Sequence, residues 1–181
     1  MLLGLSAFTY SLVSEDEVVY TEHEVALNTN AITLVSPSIV YDSHYKKMIG
    51  YAMIFTDMGE YFSISSNSDD DTTCVEEIFN MISKDAEALK TFWLLYIEIP
   101  RQKFDAEAES FIEEIEYQRR PVIINTNHIS AIIKDAEKEI QVIKLSDGAQ
   151  FELLPDTDAI ALMKMDGHNV QEHYSTSRNP F

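Results

Sequence analysis

Apolar and polar positions divide the chain into a few readable segments. The apolar run Leu2–Val13 predicts a strand. From Val75 to Lys90 the apolar residues Val75, Ile78, Phe79, Ile82, Ala86 and Leu89 recur at three- and four-residue spacing, which predicts a helix with one buried stripe. Thr73 and Glu76 stand three apart just before it, the spacing of a capping box. Phe92–Ile99 is rich in aromatic and β-branched residues, predicts a strand, and ends at Pro100. Asp105 then reads as the cap of a second helix reaching Gln118, with Phe104, Ala108, Phe111, Ile112 and Ile115 as its apolar stripe. A last short helix is expected from Asp158 to Met165, stopping at Gly167. The polar segment 168–181 has no periodicity and is expected to be loose.

An internal repeat organises these segments. EVALNTNAITLV at 24–35 aligns without gaps on PVIINTNHISAI at 121–132, so that Asn28-Thr29-Asn30 falls on Asn125-Thr126-Asn127. Further on, Phe55–Phe62 faces Leu145–Phe151, with one residue fewer in the second copy. Each copy reads as a small β meander. The Asn-Thr-Asn stretch marks a strand giving way to a turn, because Asn side chains cap backbone amides. Ser146-Asp147-Gly148 is a hairpin turn, since Asp-Gly accepts the positive φ angles a tight turn demands. The expected fold is α+β: two related antiparallel β-meander modules joined by a helical middle segment. Its expected division is copy one at 1–71, a helix–strand–helix middle at 72–120, copy two at 121–167 and the tail 168–181.

Charge changes the picture more than composition does. The 181 residues hold 13 Lys and Arg against 31 Asp and Glu, a formal charge of −18. Acid exceeds base in both halves, so there is no single acidic tail. Such a surface repels phosphate and anionic lipid, which argues against direct nucleic-acid or membrane binding and for a protein partner with a basic surface. The densest basic groups are only the pairs Lys46-Lys47 and Arg119-Arg120. Hydrophobic residues make up 45% of the chain, enough for a packed core. A lone Cys74 excludes an intramolecular disulfide framework and suits a reducing cytoplasm. The apolar start has no Lys or Arg before Lys46, so no secretory leader is expected.

Candidate chemistry is sparse. Asp69, Asp70 and Asp71 with Ser66 and Asn67 form an acidic loop that lacks the glycine and distal glutamate of a calcium-binding hand, and it also suits the positive end of the following helix. Cys74 would sit near that helix's N-terminus, where a thiol is activated, but three aspartates precede it. His168 and His173 are not at helical metal-binding spacing. No nucleophile elbow, phosphate loop or dinucleotide fingerprint is present, so neither catalysis, nor a metal, nor a cofactor is expected. The densest feature is the row Glu107, Glu109, Glu113, Glu114 and Glu116, expected as an acidic ridge on the 105–118 helix. Such a ridge can stand in for the phosphates of a nucleic acid.

Asn125–Ile129, Ile143–Gly148 and Phe151–Leu153 together resemble small bacterial and phage β modules of the FlbD-like type. The resemblance covers residues 122–165, implies a compact β module, and carries no catalytic residues across. Size, acidity and this phage-like flavour point to a phage or mobile-element accessory factor in the host cytoplasm, one that inhibits a host nucleic-acid-handling or defence protein. The rival class is a structural or assembly subunit, in which edge strands pair between copies as a homo-oligomer.

Overall fold

The computed structural model describes residues 1–14, 17–42, 46–65, 70–135, 140–165 and 173–175. Strands dominate it. β1 (Leu2–Ser14) and β2 (Glu17–Asn28) form a long hairpin, and a 3-10 turn at Thr29–Ala31 leads to β3 (Ile32–Asp42), β4 (Lys47–Thr56) and β5 (Tyr61–Ile64). Helices α1 (Asp71–Ile82) and α2 (Ala86–Leu89) follow. A second long hairpin, β6 (Phe92–Asp105) and β7 (Ser110–Asn125), leads through a 3-10 turn at Thr126–His128 to β8 (Ile129–Asp135), β9 (Ile140–Leu145) and β10 (Gln150–Glu152). Helix α3 (Ala159–Met165) and the short strand β11 (His173–Ser175) complete the order.

This corrects the expected fold class. The chain is mostly antiparallel β with short helices, not an α+β fold with a helical middle. The expected helix over 105–118 is the far end of a hairpin. Its apolar residues fit a helical stripe, and its glutamates have good helix propensity. The ladder with β6 overrides both. It sets Arg101 opposite Glu116 and Arg119 opposite Glu98, and opposite charges facing each other across strands stabilise a sheet. Asp105 does cap, but it caps a turn: its Oδ1 accepts from the N–H of Glu107 at 2.9 Å and of Ala108 at 3.1 Å. The chain then reverses through Glu109, whose φ is +49°.

The repeat is longer than the matched sequence segments. In each half a long hairpin is followed by a 3-10 turn, two long strands, a short strand and a helix. The hairpin β6–β7 stands to the second half as β1–β2 stands to the first. Hydrogen bonds recur with the order. Thr29 sends its N–H and its Oγ1 to the Met1 carbonyl at 3.0 and 3.3 Å; Thr126 sends the same two groups to the Thr91 carbonyl at 2.8 and 3.2 Å. Asn28 Oδ1 accepts from the Asn30 N–H, and Asn125 Oδ1 from the Asn127 N–H, both at 3.1 Å. Thr33 and Ser130 occupy matching bulges, donating to the carbonyls of Phe55 and Lys144. The hairpin turns are also equal in length. Gly59 and Gly148, at φ +79° and +93°, each donate to the residue three before, Thr56 and Leu145. The residue expected to be missing from the second turn is therefore present, and Thr56, not Phe55, corresponds to Leu145.

The strands lie in two sheets, β2-β1-β5-β4-β3-β7-β6 and β10-β9-β8-β11. Taken in sequence these repeat one order, hairpin then short strand then two long strands. The ladder that joins β1 to β5 in the first copy has no counterpart between β6 and β10 in the second. The copies are joined by an antiparallel pairing of β3 with β7, Leu34 opposite Ile124 and Val35 opposite Ile123.

Because successive strand residues face opposite sides, the β6–β7 hairpin serves two cores. Phe92 and Ile123 pack with Val35, Ile54 and the α1 stripe Cys74, Val75, Ile78 and Ile82. Trp93, Leu95, Ile97, Val122 and Ile124 pack instead with Ile132, Ile143, Leu153 and Ile160 of the second copy. Helix α1 thus buries most of the stripe read from the sequence, but it begins at Asp71 and breaks after Ile82, leaving Leu89 exposed. Its cap is Asp70 rather than Thr73: Asp70 Oδ2 accepts from the Thr73 N–H at 3.1 Å and from the Thr73 hydroxyl at 2.8 Å.

Candidate functional site

The hairpin β6–β7 extends beyond its pairing with β3 as an arm. The ladder with β3 ends at Ile123, and the arm also meets the body at its tip. There Tyr41 of β3 lies 4.5 Å from the ring of Phe104, which stands 5.4 Å from Phe111. Lys46, at the β3–β4 turn, holds Glu109 Oε1 at 2.7 Å. That bond raises the lysine's pKa, although both groups are exposed and the pair contributes little stability.

Between the arm and the body lies a cleft of about 250 Å³, lined in part by Ile39, Met48, Arg101, Gln118 and Arg120. Asp71, the first residue of α1, fills its base. The Asp71 side chain is 2% exposed and pairs with Arg101 through Oδ2, while Arg120 Nε stands 3.4 Å from Oδ1. Arg120 Nε is buried and not aligned for a hydrogen bond, although the same guanidinium donates to Gln118 and to the Arg119 carbonyl. Two arginines of the arm thus converge on one carboxylate of the body. The arrangement fastens the arm, and Asp70 and Glu116 also line the cleft, so its two arginines are matched by carboxylates.

The expected site residues are therefore dispersed. Asp71 is buried in an ion pair, Asp70 caps α1, and Asp69 lies outside the described residues. Burial opposes ionisation of Asp70, but the Thr73 hydrogen bonds and the nearby Arg120 charge prevail and hold its pKa below the usual value. The five glutamates do not form one ridge. Glu107 and Glu109 sit in the turn, Glu109 on Lys46; Glu114 is 3.2 Å from Lys103; Glu116 accepts from Gln118 and stands opposite Arg101. Glu113 is exposed.

What the arm adds is apolar. Ile115 and Tyr117, two apart on β7, are 57% and 69% exposed, beside the exposed glutamates. Sequence reasoning placed Ile115 on a buried stripe and did not single out Tyr117. Their alternation, Ile115-x-Tyr117, is a strand signal that the helical reading of the segment concealed.

Elsewhere, a hollow of about 470 Å³ on the first copy is lined by Phe8, Tyr51, Met53 and Tyr61, with His23 at its rim. His23 Nε2 is engaged with the Thr9 hydroxyl at 3.2 Å. Cys74 is buried with its Sγ 3.6 Å from the Gly50 carbonyl. His128 Nε2 stands 3.1 Å from the Asn30 carbonyl, between the two 3-10 turns. Among the described residues no group of three His, Cys, Asp or Glu is placed to hold a metal. Nor is any helix among them long and apolar enough to cross a membrane. No family model, no curated protein and no solved structure matches the chain.

Proposed function

We propose that the protein is a non-enzymatic binding protein whose β6–β7 arm engages a protein with a basic surface. The observation that supports this most is the exposed pair Ile115 and Tyr117, set among glutamates on an arm that Asp71 holds in place. Exposed aromatic and aliphatic anchors give affinity when buried, and surrounding charge selects and steers the partner. The net charge of −18 extends that steering over the whole surface. The sharpest form of the reading is an accessory factor of a phage or mobile element, which occupies the basic cleft of a host nucleic-acid-handling or defence protein.

The test is capture of partners from a cell lysate by the tagged full chain, washed at low and at high salt, with mass spectrometry of the eluates. A basic protein retained at low salt and lost at high salt is expected, because screening shortens the reach of charge to about 3 Å at 1 M salt. The combined variant Glu113→Lys, Ile115→Ser, Tyr117→Ser should abolish that capture while the far-ultraviolet spectrum stays unchanged. Capture that neither salt nor this variant weakens contradicts the reading.

A further inference from the structure

The two copies in the chain are joined through β3 of the first and the hairpin strand β7 of the second. Each of those edges exists twice, and among the described residues no strand pairs with the second instance of either. The counterpart of β7 is β2, an edge strand of the seven-stranded sheet. The counterpart of Leu34 and Val35 is Ala131 and Ile132 of β8, which among the described residues pair only with β9, since β11 takes up the other edge from Ile133 onward. β2 and β8 lie in different sheets of this molecule and do not close on each other. A junction used once, with the matching stretches of β2 and β8 left without a described strand partner, is heterologous, and such a junction propagates from molecule to molecule.

We propose that copies of this chain associate head to tail, β2 of one molecule pairing with β8 of the next, in the register that β7 and β3 use within the chain. Leu27 then stands opposite Ala131, and Ala26 opposite Ile132. The arrangement continues the strand order of one chain into the next and ends either as a ring or as a filament.

The open end of the first copy carries groups that suit such a junction. Leu2 is 71% exposed, whereas its counterpart Phe92 is 3% exposed. Ala26 is exposed, whereas its counterpart Ile123 is fully buried. Asn125 donates Nδ2 to the Ile32 carbonyl across the internal junction at 2.8 Å; Asn28 has the same turn geometry with its side chain exposed. In the next molecule the Ile129 carbonyl stands where Ile32 stands here. Unpaired strand edges favour such association unless charge or proline guards them, and Ala26-Leu27-Asn28 carries neither.

The experiment is sedimentation velocity on the full chain from about 1 to about 100 µM, with cysteine cross-linking beside it. Oligomers that grow with concentration are expected. Ala26→Glu and Leu2→Glu place charge where only the junction buries it, so each should weaken association by at least about tenfold, with an unchanged melting temperature at concentrations where the native chain is also a monomer. Chains bearing Asn28→Cys should form disulfides with chains bearing Ser130→Cys, and not with themselves; the native Cys74, 1% exposed, does not compete. A monomer throughout the range overturns the proposal. So do oligomers indifferent to both glutamates, or cross-links of Asn28→Cys to itself, which mark an isologous contact instead.

Discussion

The two copies share a backbone plan and differ in what their matching positions face. Asp71 and Ala159 both open the helix of their copy, and both are buried. In the first copy that position is a carboxylate between two arginines of the arm. In the second it is a methyl group within an apolar core. Asn125 and Asn28 likewise share a turn, but only Asn125 is buried and reaches across to the Ile32 carbonyl. Residues that build the local turn are thus kept in both copies, while residues at the same places that face another module are specialised. Local geometry and assembly are separable layers of this fold.

The largest effect expected from breaking this comparison is at Asp71. Asp71→Ala installs the residue of the second copy and leaves Arg101 and Arg120 without their carboxylate. Stranding a buried charge costs about 3–5 kcal/mol; with Arg120 partly exposed the lower figure is expected. Chemical denaturation monitored by Trp93 fluorescence reads it. A loss near zero would mean that the arginines relax to water and that the arm is not fastened there.

Asn125→Ala and Asn28→Ala sharpen the comparison next. Both remove a turn cap, worth about 1 kcal/mol. Asn125→Ala also strips the buried Ile32 carbonyl of a donor, adding about 1–3 kcal/mol. The difference between the two variants in the same denaturation assay isolates the junction. Equal losses would show that the second hydrogen bond contributes nothing.

The glycine turns form a control in which the copies should agree. Gly59→Ala and Gly148→Ala each force a side chain into positive φ with open space around it, so strain alone acts. Each should lose about 1–2 kcal/mol of stability. Unequal losses would indicate that the turns are not equivalent.

The smallest effect is with pH. Asp158 accepts a hydrogen bond from Gln141 Nε2 at 2.8 Å and another from the Ala161 N–H at 3.0 Å, which lower its pKa. Asp70 at the matching cap is lowered as well. A carboxylate with a depressed folded-state pKa stabilises the fold above its unfolded value, near 3.9, and that contribution is lost as pH falls through the lower folded value. Both caps are exposed, so the loss in acid should be shallow and reduced in Asp158→Asn, as acid denaturation curves would record.

Much of the local structure was legible in the sequence. The Asn-Thr-Asn turns, the Asp147-Gly148 hairpin and the α1 stripe rest on local rules, because side-chain caps, positive φ and helical spacing act within a few residues. The arm was not legible. From Phe104 to Ile115 the apolar spacing fits a helix as well as a bulged strand, and only the cross-strand partners on β6 decide between them. The same non-locality hid the site. Asp71 looks like one more acid in a polar loop until Arg101 and Arg120, far along the chain, are brought to it. The turn alignment slipped by one residue because Phe55 and Leu145 are both apolar, and the hydrogen bonds of Thr56 and Leu145 set the true match.

One module occurs twice, and among the described residues its joining edge is paired in the second copy and unpaired in the first. Hydrogen–deuterium exchange on the Ala26→Glu chain, which head-to-tail pairing cannot join, tests this most directly. The segment 121–125 is held on both edges around Ile123 and Ile124, by β6 and by β3. Its counterpart 24–28 is held among the described residues on one edge, by β1. Slow exchange of the amides of 122–125 is expected, with rapid exchange of the outward-facing amides of 24–28. Equal protection of the two segments would contradict this account.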